Sequence, residues 1–454
     1  MDVTDEKVLV VGAGASGVSA ALLLARKGAR VTINDLRTRA ELGADASRLE
    51  RAGVELALEG HAEAVFEEAE LVVVSPGVPP LPIFREVEAR GVEVISEVEL
   101  AARFLAAPLV GITGTNGKST VTTLIGEMMK RSGKPTFVGG NLGVALSDAV
   151  DGDADRPDGV AVVELSSFQL ERVRVMKPIV ALLLNVSPDH LDRYPSVDAY
   201  GRAKANIFSA QGPTEHAVLP AGDATVAAFA PPRDGATRHW YGGSDGEVRV
   251  DGDAIVDTET GWRFPLSELR LQGLHNQLNA CAAVLAARLA GASGEAITET
   301  LREVGGLPHR AELVRTVDGV DWVDDSKATN VGAALAALEG LASPTRLAVL
   351  IAGGVDKGGS YVPLAQRFYE VGRAVVLMGE AAPLLADAFA GLGLPIENAD
   401  SMAEAVARAR ALARPGDVVL LAPACSSFDM FRSYAHRGDV FQDAVRALDE
   451  GGAS

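Results

Sequence analysis

Cysteine is almost absent from this chain of 454 residues: there are two, Cys281 and Cys425, both among apolar or small neighbours. That excludes a disulfide scaffold and a cysteine metal site. Positive charge is in deficit. Lys and Arg total 42 against 61 Asp and Glu, a net charge of −19, so the basic face that a nucleic-acid binder needs is missing. The imbalance says little about fold, and it still admits a small anionic substrate held by backbone amides and a few placed cations. Long apolar runs are missing too. The longest, such as "IVALLLNV", are far too short to span a bilayer. The opening "MDVTDEKVLVVG" has no basic or apolar leader ahead of its first strand-like run, so it does not read as a signal peptide. Heptads, internal repeats and low-complexity tails are lacking as well. The expectation is a cytoplasmic protein without membrane insertion or nucleic-acid partner, acting as a monomer.

What is present is a globular composition, 48% hydrophobic and 23% charged, with material for several cores. The length predicts about three domains of roughly 150 residues each. Short Val/Ile/Leu runs alternate with Ala-rich helical stretches: "KVLVVG", "RVTIND", "ELVVVSPG" and "VEVIS" early, "RLAVLIAGG", "AVVLMG" and "DVVLLAP" late. Near-continuous apolar strands alternating with helices predict an α/β protein whose mostly parallel sheets are covered on both faces. Three blocks follow, at residues 1–103, 104–305 and 306–454. Within the second, residues 212–270 are richer in Gly, Asp and Pro and read as a β or loop insertion.

Two glycine loops stand out. "VVGAGASG" places Gly12, Gly14 and Gly17 in a G-x-G-x-x-G pattern between a strand and a helix, and Asp35 ends the next strand. Such a turn brings backbone amides and a helix N-terminus up to a phosphate. The pattern alone leaves NAD, FAD and other nucleotide diphosphates open. The second loop, "TGTNGKST", spans Thr113–Thr120. It departs from G-x-x-x-x-G-K-[ST] because Ile112 stands where the leading glycine belongs. The working parts remain: a strand, amides around Gly114, Thr115, Asn116 and Gly117, then Lys118, Ser119 and Thr120 at a helix start. These cradle phosphates, add a point charge and offer Mg²⁺ a hydroxyl. Only this loop has the lysine and the hydroxyl, so a consumed ATP belongs here.

Other residues gather around the second loop in sequence logic. Glu164 ends the buried-looking strand of "VAVVELSSFQLE", where an acid is costly unless paired or metal-bound. Asp189 and His190 follow another apolar run, and strand C-terminal ends are where parallel sheets place ligands; a lone histidine is as often structural. Lys204, read locally, is a solvated helix lysine. Asn276 and Asn279 lie three apart on a predicted helix and share a face, which also suits capping or a buried amide pair.

In order along the chain, "GTNGKST", "ELSSFQLE", "NVSPDHLDRY", "YGRAKANIF", "LHNQLNACAA", "LPHRAE" and "DDSKATN" resemble the Mur ligase family, which builds peptidoglycan precursors. The resemblance covers almost the whole chain. "DDSKATN" and "PACSSFDMF" are similar to the branch that adds D-glutamate to UDP-N-acetylmuramoyl-L-alanine. It implies three domains: a Rossmann-like UDP-binding domain, a central P-loop-type ATPase domain with a mostly parallel sheet, and a C-terminal Rossmann-like domain for the amino acid. The implied reaction consumes ATP and passes through an acyl phosphate and a tetrahedral intermediate.

The site residues carried over by resemblance are as follows. Lys118 and the Gly114–Gly117 amides serve the ATP phosphates. Ser119 and Glu164 hold the nucleotide Mg²⁺. His190 and Lys204 match ligands of a second Mg²⁺, the lysine as its carbamate. Asn276 and Asn279 match adenine contacts, and Arg310 and Asp325 match residues near ATP. Ser16, Asp35, Leu36, Arg37 and Ser75 match uridine diphosphate contacts, with Asn141 and His190 meeting the sugar and acyl part. Lys327, Thr329, Lys357, Ser427, Phe428 and Tyr434 match the D-glutamate site; taken singly, each also suits surface charge or core packing. In "AGGVDKGGSY", Asp356 directly precedes Lys357, whereas some members separate the two, and its role stays open. Three rival readings each fit the residues less well. An NAD-dependent oxidoreductase leaves Lys118 and Ser119 unexplained. A non-catalytic nucleotide binder leaves Lys118, Glu164, His190 and Lys204 without a purpose together. A sister ligase for another amino acid is opposed by "DDSKATN".

Overall fold

The computed structural model describes residues 1–271 and 273–449. Its strands form three sheets. The first holds β1 (Lys7–Val11), β2 (Arg30–Asn34), β3 (Glu55–Ala57), β4 (Leu71–Val74) and β5 (Glu93–Ser96), all parallel, in the order β3-β2-β1-β4-β5. The second holds β6 (Leu109–Thr113), β7 (Thr136–Gly140), β8 (Val160–Glu164), β9 (Val180–Leu183), β10 (His216–Pro220), β11 (Thr237–Tyr241), β12 (Val248–Asp251), β13 (Ala254–Asp257) and β14 (Arg263–Pro265). Its order is β14-β13-β12-β11-β10-β9-β6-β8-β7. The third holds β15 (Glu312–Val317), β16 (Val320–Asp324), β17 (Ala348–Gly353), β18 (Gly372–Met378), β19 (Ile396–Asn398) and β20 (Val418–Leu421), ordered β15-β16-β20-β17-β18-β19.

The fold class expected from alternating apolar strands and helices is the one observed. In the third sheet the reason is visible residue by residue. Ala348, Leu350 and Ala352 of β17 enter one core, with Val375 and Leu377 of β18 and Val418 and Leu420 of β20. The intervening Val349 and Ile351 enter the other, with Val376 and Val419. A strand whose two faces are both buried needs apolar residues at every position. Of the two readings of the stretch 212–270, β or loop, the β one holds. Its strand β10 pairs in parallel with β9, and β11 to β14 continue the same sheet to its edge, the last two pairings antiparallel.

Two compact units emerge. One comprises residues 1–186, 201–269 and 277–303; the other comprises 187–200, 270–276 and 304–454. The first unit therefore carries both the first and second sheets, and two buried glutamates join them. Both lie in the first turn of the helix Glu97–Phe104. Glu99 accepts from the main-chain N–H groups of Arg174, Val175 and Met176 and from Arg103 Nε. Glu97 accepts from the N–H of Ser147 at 2.6 Å, while its other oxygen is buried without a hydrogen-bond partner. Ser19 Oγ adds a bond to Asp148, and Lys27 an ion pair to Asp151.

Cys281 and Cys425 are free and buried, and burial pushes their thiols up to about 12 and about 11. Among the described residues no helix is long and apolar enough to cross a membrane.

Burial pushes the Glu97 carboxyl up from 4.5 to about 7, against the pull of its Ser147 bond. The folded chain then holds this proton more tightly than the unfolded one. The stability it contributes is fully present below about pH 4.5 and is lost as pH rises through about 7. Glu97→Gln keeps a neutral group there. Its melting temperature should match the native one near pH 5 and exceed it by a few degrees at pH 8, as calorimetry would read; identical pH profiles would place the pH dependence elsewhere.

Candidate active site

The second glycine loop follows β6 and leads into the helix Lys118–Arg131. Gly117 stands at its N-cap with φ +84°, a left-handed conformation that suits glycine. A Cβ there would also lie 2.5 Å from Asn279 Oδ1, so the backbone runs hard against the second of the two paired asparagines. Lys118 Nζ donates to the carbonyls of Gly114 and Thr115, at 2.9 and 2.8 Å. Lys204 Nζ donates to the same Gly114 oxygen at 2.9 Å. Lys204 is only 1% exposed, which removes the solvated-lysine reading of "YGRAKANIF".

Ser119 Oγ donates to Glu164 Oε2 at 2.6 Å, and Asn141 Nδ2 donates to Glu164 Oε1 at 2.7 Å. Ser119 and Glu164 are buried. A hydroxyl and a carboxylate side by side at a helix start are the hard oxygen donors that Mg²⁺ prefers, so the residues present fit the ion. Thr120 Oγ1 is buried without a hydrogen-bond partner, as it would be if aimed at a ligand. Asn141, expected at the sugar, stands beside Glu164. One expectation is corrected: the amides of Thr115 and Asn116 do not lie open to a phosphate. They donate to the carbonyl and the side-chain oxygen of Asn185, at 3.0 and 2.8 Å.

The first glycine loop lies at the C-terminal ends of β1 and β4, where the strand order reverses and open parallel sheets bind ligands. Gly17 is obligatory: a Cβ there would lie 1.8 Å from the Gly12 carbonyl oxygen. Ser75 faces the loop from the end of β4, with its Oγ 3.8 Å from where a Cβ on Gly14 would stand. Asp35 is nearly buried and already takes four donors: the N–H of Ala13, the N–H of Arg37, and Arg37 Nε and Nη2. Chiefly the Arg37 guanidinium holds its carboxyl well below the usual range, with burial opposing. A carboxylate has about four lone-pair sites, so none is left for a ribose hydroxyl, the contact a dinucleotide acid makes. Asp35 instead fixes Arg37 at the rim, next to the exposed Leu36; Ser16 lies in the first turn of the following helix.

In the second unit, Asp189 is the hub of its segment. Its oxygens accept from Lys357 Nζ at 3.2 Å, from Asn330 Nδ2 at 3.1 Å and from the His190 N–H. His190 holds φ +55°, and its ring packs 6.2 Å from that of Tyr200. Lys327, Thr329, Lys357, Ser427 and Phe428 follow β16, β17 and β20, three neighbouring strands. Lys327 Nζ sits 3.8 Å over the Tyr434 ring, a cation–π contact. Ser427 is buried, whereas Phe428 is 74% exposed. Burial pushes Asp325 up to about 7, with the Arg310 charge opposing, and Arg310 Nε is buried without a hydrogen-bond partner. Asn276 belongs to this unit.

Three features are not legible as site residues in the sequence. Asn185 stands there only as the first residue of "NVSPDHLDRY". Arg437 sits in the polar-looking "AHRGD" yet is 1% exposed. It donates to Ser326 Oγ and to the carbonyls of Ser326, Gly353, Cys425 and Ser426, tying together the loops after β16, β17 and β20. Burial pulls its guanidinium down to about 10. Its i, i+4 spacing ahead of Phe441 was the available signal, since both face inward. Third, His309, Glu312 and Asp324 cluster within reach of one cation, but Gln442 Nε2 already donates to both carboxylates while Arg446 holds its oxygen. That closed polar knot anchors the turn carrying Arg310.

The comparisons agree across the chain. Residues 6–96 match the Mur ligase MurD-like N-terminal domain, 112–287 the Mur ligase middle domain, and 309–425 the Mur ligase glutamate ligase domain. Two relatives, each named UDP-N-acetylmuramoylalanine--D-glutamate ligase, illustrate the likeness. That of Anaeromyxobacter dehalogenans (strain 2CP-C) is 47% identical, covering 96% of each chain. That of Myxococcus xanthus (strain DK1622) is 44% identical, covering 98% of each. Among solved structures, a pseudomurein peptide ligase type C from Methanothermus fervidus shares the fold with TM-score 0.63 at 19% identity, covering 98% of this chain and 100% of that one. MurF from Acinetobacter baumannii does so with TM-score 0.61 at 17% identity, covering 98% and 91%. With relatives this similar over nearly its full length, and with its own lysines, acid and hydroxyl assembled at the phosphate loop, the chain belongs to the Mur ligase family.

Proposed function

We propose that this chain is an ATP-dependent amide-bond-forming ligase that adds D-glutamate to UDP-N-acetylmuramoyl-L-alanine in peptidoglycan precursor synthesis. The observation that carries the reading is the convergence of Lys118 and Lys204 on Gly114 beside the buried Ser119–Glu164 pair. The Lys118 cation and an oxygen-donor pair at a helix start are what a transferring phosphoryl group needs, and Lys204 stands at the same loop.

On this reading residues 1–103 hold the uridine diphosphate handle, through the first glycine loop, Ser16, Leu36, Arg37 and Ser75, with Asp35 serving by fixing Arg37. Residues 104–305 hold ATP, and residues 306–454 hold the amino acid. The substrate carboxylate attacks the γ-phosphorus of ATP; the bond from that phosphorus to the bridging oxygen breaks, and ADP leaves. Lys118 offsets the charge that builds on the transferring oxygens, and the helix N-terminus assists. Ser119 and Glu164 would hold Mg²⁺, which supplies charge neutralisation at the phosphates. Asn141 orients Glu164 by its 2.7 Å bond. The D-glutamate amine then attacks the acyl carbon, loses a proton, and phosphate departs. Lys327, Thr329, Lys357 and Ser427 offer the cations and hydroxyls that a dicarboxylic amino acid requires, with Phe428 and Tyr434 beside them. Asn276, Asn279, Arg310 and Asp325 are assigned to the nucleotide.

Carbamylation of Lys204 is part of the proposal, with His190 and Lys204 as ligands of a second Mg²⁺. Carbamylation needs the neutral amine, and burial beside another cation favours it. A monomer in the cytoplasm, where ATP is supplied and thiols stay reduced, completes the reading.

ADP release coupled to a panel of amino acids, with UDP-N-acetylmuramoyl-L-alanine present, tests the whole. D-Glutamate should be preferred by orders of magnitude; preference for any other amino acid would overturn the specificity. Lys118→Ala should lower the ADP release rate by about 10²–10³-fold. Lys204→Ala should lose activity and recover part of it with a short added carboxylic acid, and no recovery would leave Lys204 acting as an amine.

A further inference from the structure

The segment after β9 carries a residue for which the ligase reading has no role. Asn185 lies two positions beyond β9, next to the phosphate loop. Strands β6 and β9 run parallel, paired from Val110↔Val180 to Thr113↔Leu183. The ladder continues past both ends: Leu184 N–H donates to the Thr113 carbonyl, and Thr115 N–H donates to the Asn185 carbonyl, each at 3.0 Å. The Asn185 side chain then adds one more rung. Its Oδ1 accepts from Asn116 N–H at 2.8 Å, and its Nδ2 donates to the Asn116 carbonyl at 3.0 Å. A carboxamide has the donor and acceptor of a peptide group, so it pairs with Asn116 as a strand residue would.

The segment that carries Asn185 is itself held. Tyr241, buried on β11, donates its hydroxyl hydrogen to the Leu184 carbonyl at 3.1 Å. The first half of the loop, Thr113–Asn116, is therefore fixed from one side. At the opposite end the backbone of Gly117 passes so close to Asn279 that a Cβ there would stand 2.5 Å from its Oδ1.

We propose that Asn185 is a positioning residue for the nucleotide: it shapes the loop before ATP arrives and shifts anion contact onto Gly117 and the helix start. This rests on the ligase reading. Of the four residues between Thr113 and Lys118, Thr115 and Asn116 have their amides engaged by Asn185, and the backbone direction this sets determines where Lys118 and Ser119 begin. Preorganisation of this kind lowers the ordering cost of binding and leaves the other substrates untouched.

The test compares the native chain with Asn185→Ala and Asn185→Asp. It measures Mg·ATP binding by calorimetry, steady-state KM for all three substrates, and melting temperature. Asn185→Ala removes two hydrogen bonds and should raise the ATP dissociation constant and KM by about tenfold. KM for the UDP-sugar and for D-glutamate should stay within about twofold of native, since neither contacts this rung. Asn185→Asp keeps the shape and the acceptor, but it loses the donor and brings a negative charge toward the phosphates. It should weaken ATP further than alanine does at low salt, and the gap should narrow as salt is raised. Being isosteric, the aspartate variant carries the test even if the alanine variant does not fold. Native-like ATP binding in a folded variant, or equal rises in all three KM values together with a fall in melting temperature, would overturn the role. A native chain that fails to bind Mg·ATP would overturn the ligase reading itself, and the role with it.

Discussion

Lys118 and Lys204 donate to one carbonyl oxygen, that of Gly114, from a helix start and from a buried position on another helix. Lys118 donates to the Thr115 carbonyl as well. The loop's own carbonyls thus draw both side chains in, and the Lys118 charge at a helix start suits a polyphosphate better than a neutral ligand. Much of the first unit serves to make it possible. Strand β6 delivers Gly114, and Gly117 turns the chain into the helix. Asn185 and Tyr241 keep the loop from relaxing away from the lysines. The neighbouring Ser119–Glu164 pair, braced by Asn141, supplies the oxygen ligands for the ion that accompanies the phosphates.

The second unit works with the same economy but a different central group. Its amino-acid candidates stand on loops after three neighbouring strands, where loops diverge unless something ties them. Arg437 supplies that tie from beneath, donating to carbonyls of all three loops and to Ser326 Oγ and meeting no carboxylate among the described residues. A lysine could not do this, because the planar fork has five N–H groups in fixed directions. Asp189 plays the matching part on its own segment, where Lys357, Asn330 and the His190 amide share its two oxygens.

How much of this was legible in the sequence depended on whether the signal was local. The buried strands β6, β8, β17 and β20 were readable as apolar runs because both of their faces are covered. Ser119 and Glu164 were readable because a phosphate loop and a strand-end acid are local patterns, although their 2.6 Å contact spans 45 positions. The edge of the second sheet was readable only as β or loop: β11 and β12 are partly buried, so their mixed composition suits either. Lys204 looked solvated because nothing in "YGRAKANIF" reports that its helix turns the ammonium inward. Asp35 was readable as a strand-end acid but not as one already saturated, since two of its four donors come from the Arg37 side chain. Asn185 and Arg437 act on the main chain of distant segments, and main-chain partners leave no trace in side-chain patterns.

The two glutamates that open the helix Glu97–Phe104 have a reach beyond stability. Glu99 grips three consecutive amides and Glu97 a fourth, so the first and second sheets are bolted together by buried, hydrogen-bonded carboxyl groups rather than by a slippery apolar face. Sliding one sheet over the other would strand those carboxyl groups without donors. If the first glycine loop grips one end of a substrate and the second activates the other, the spacing between grip and activation is built in. The unit then acts as a ruler: it accepts a precursor by the length of its arm, before the chemistry at the arm's tip is ever tested.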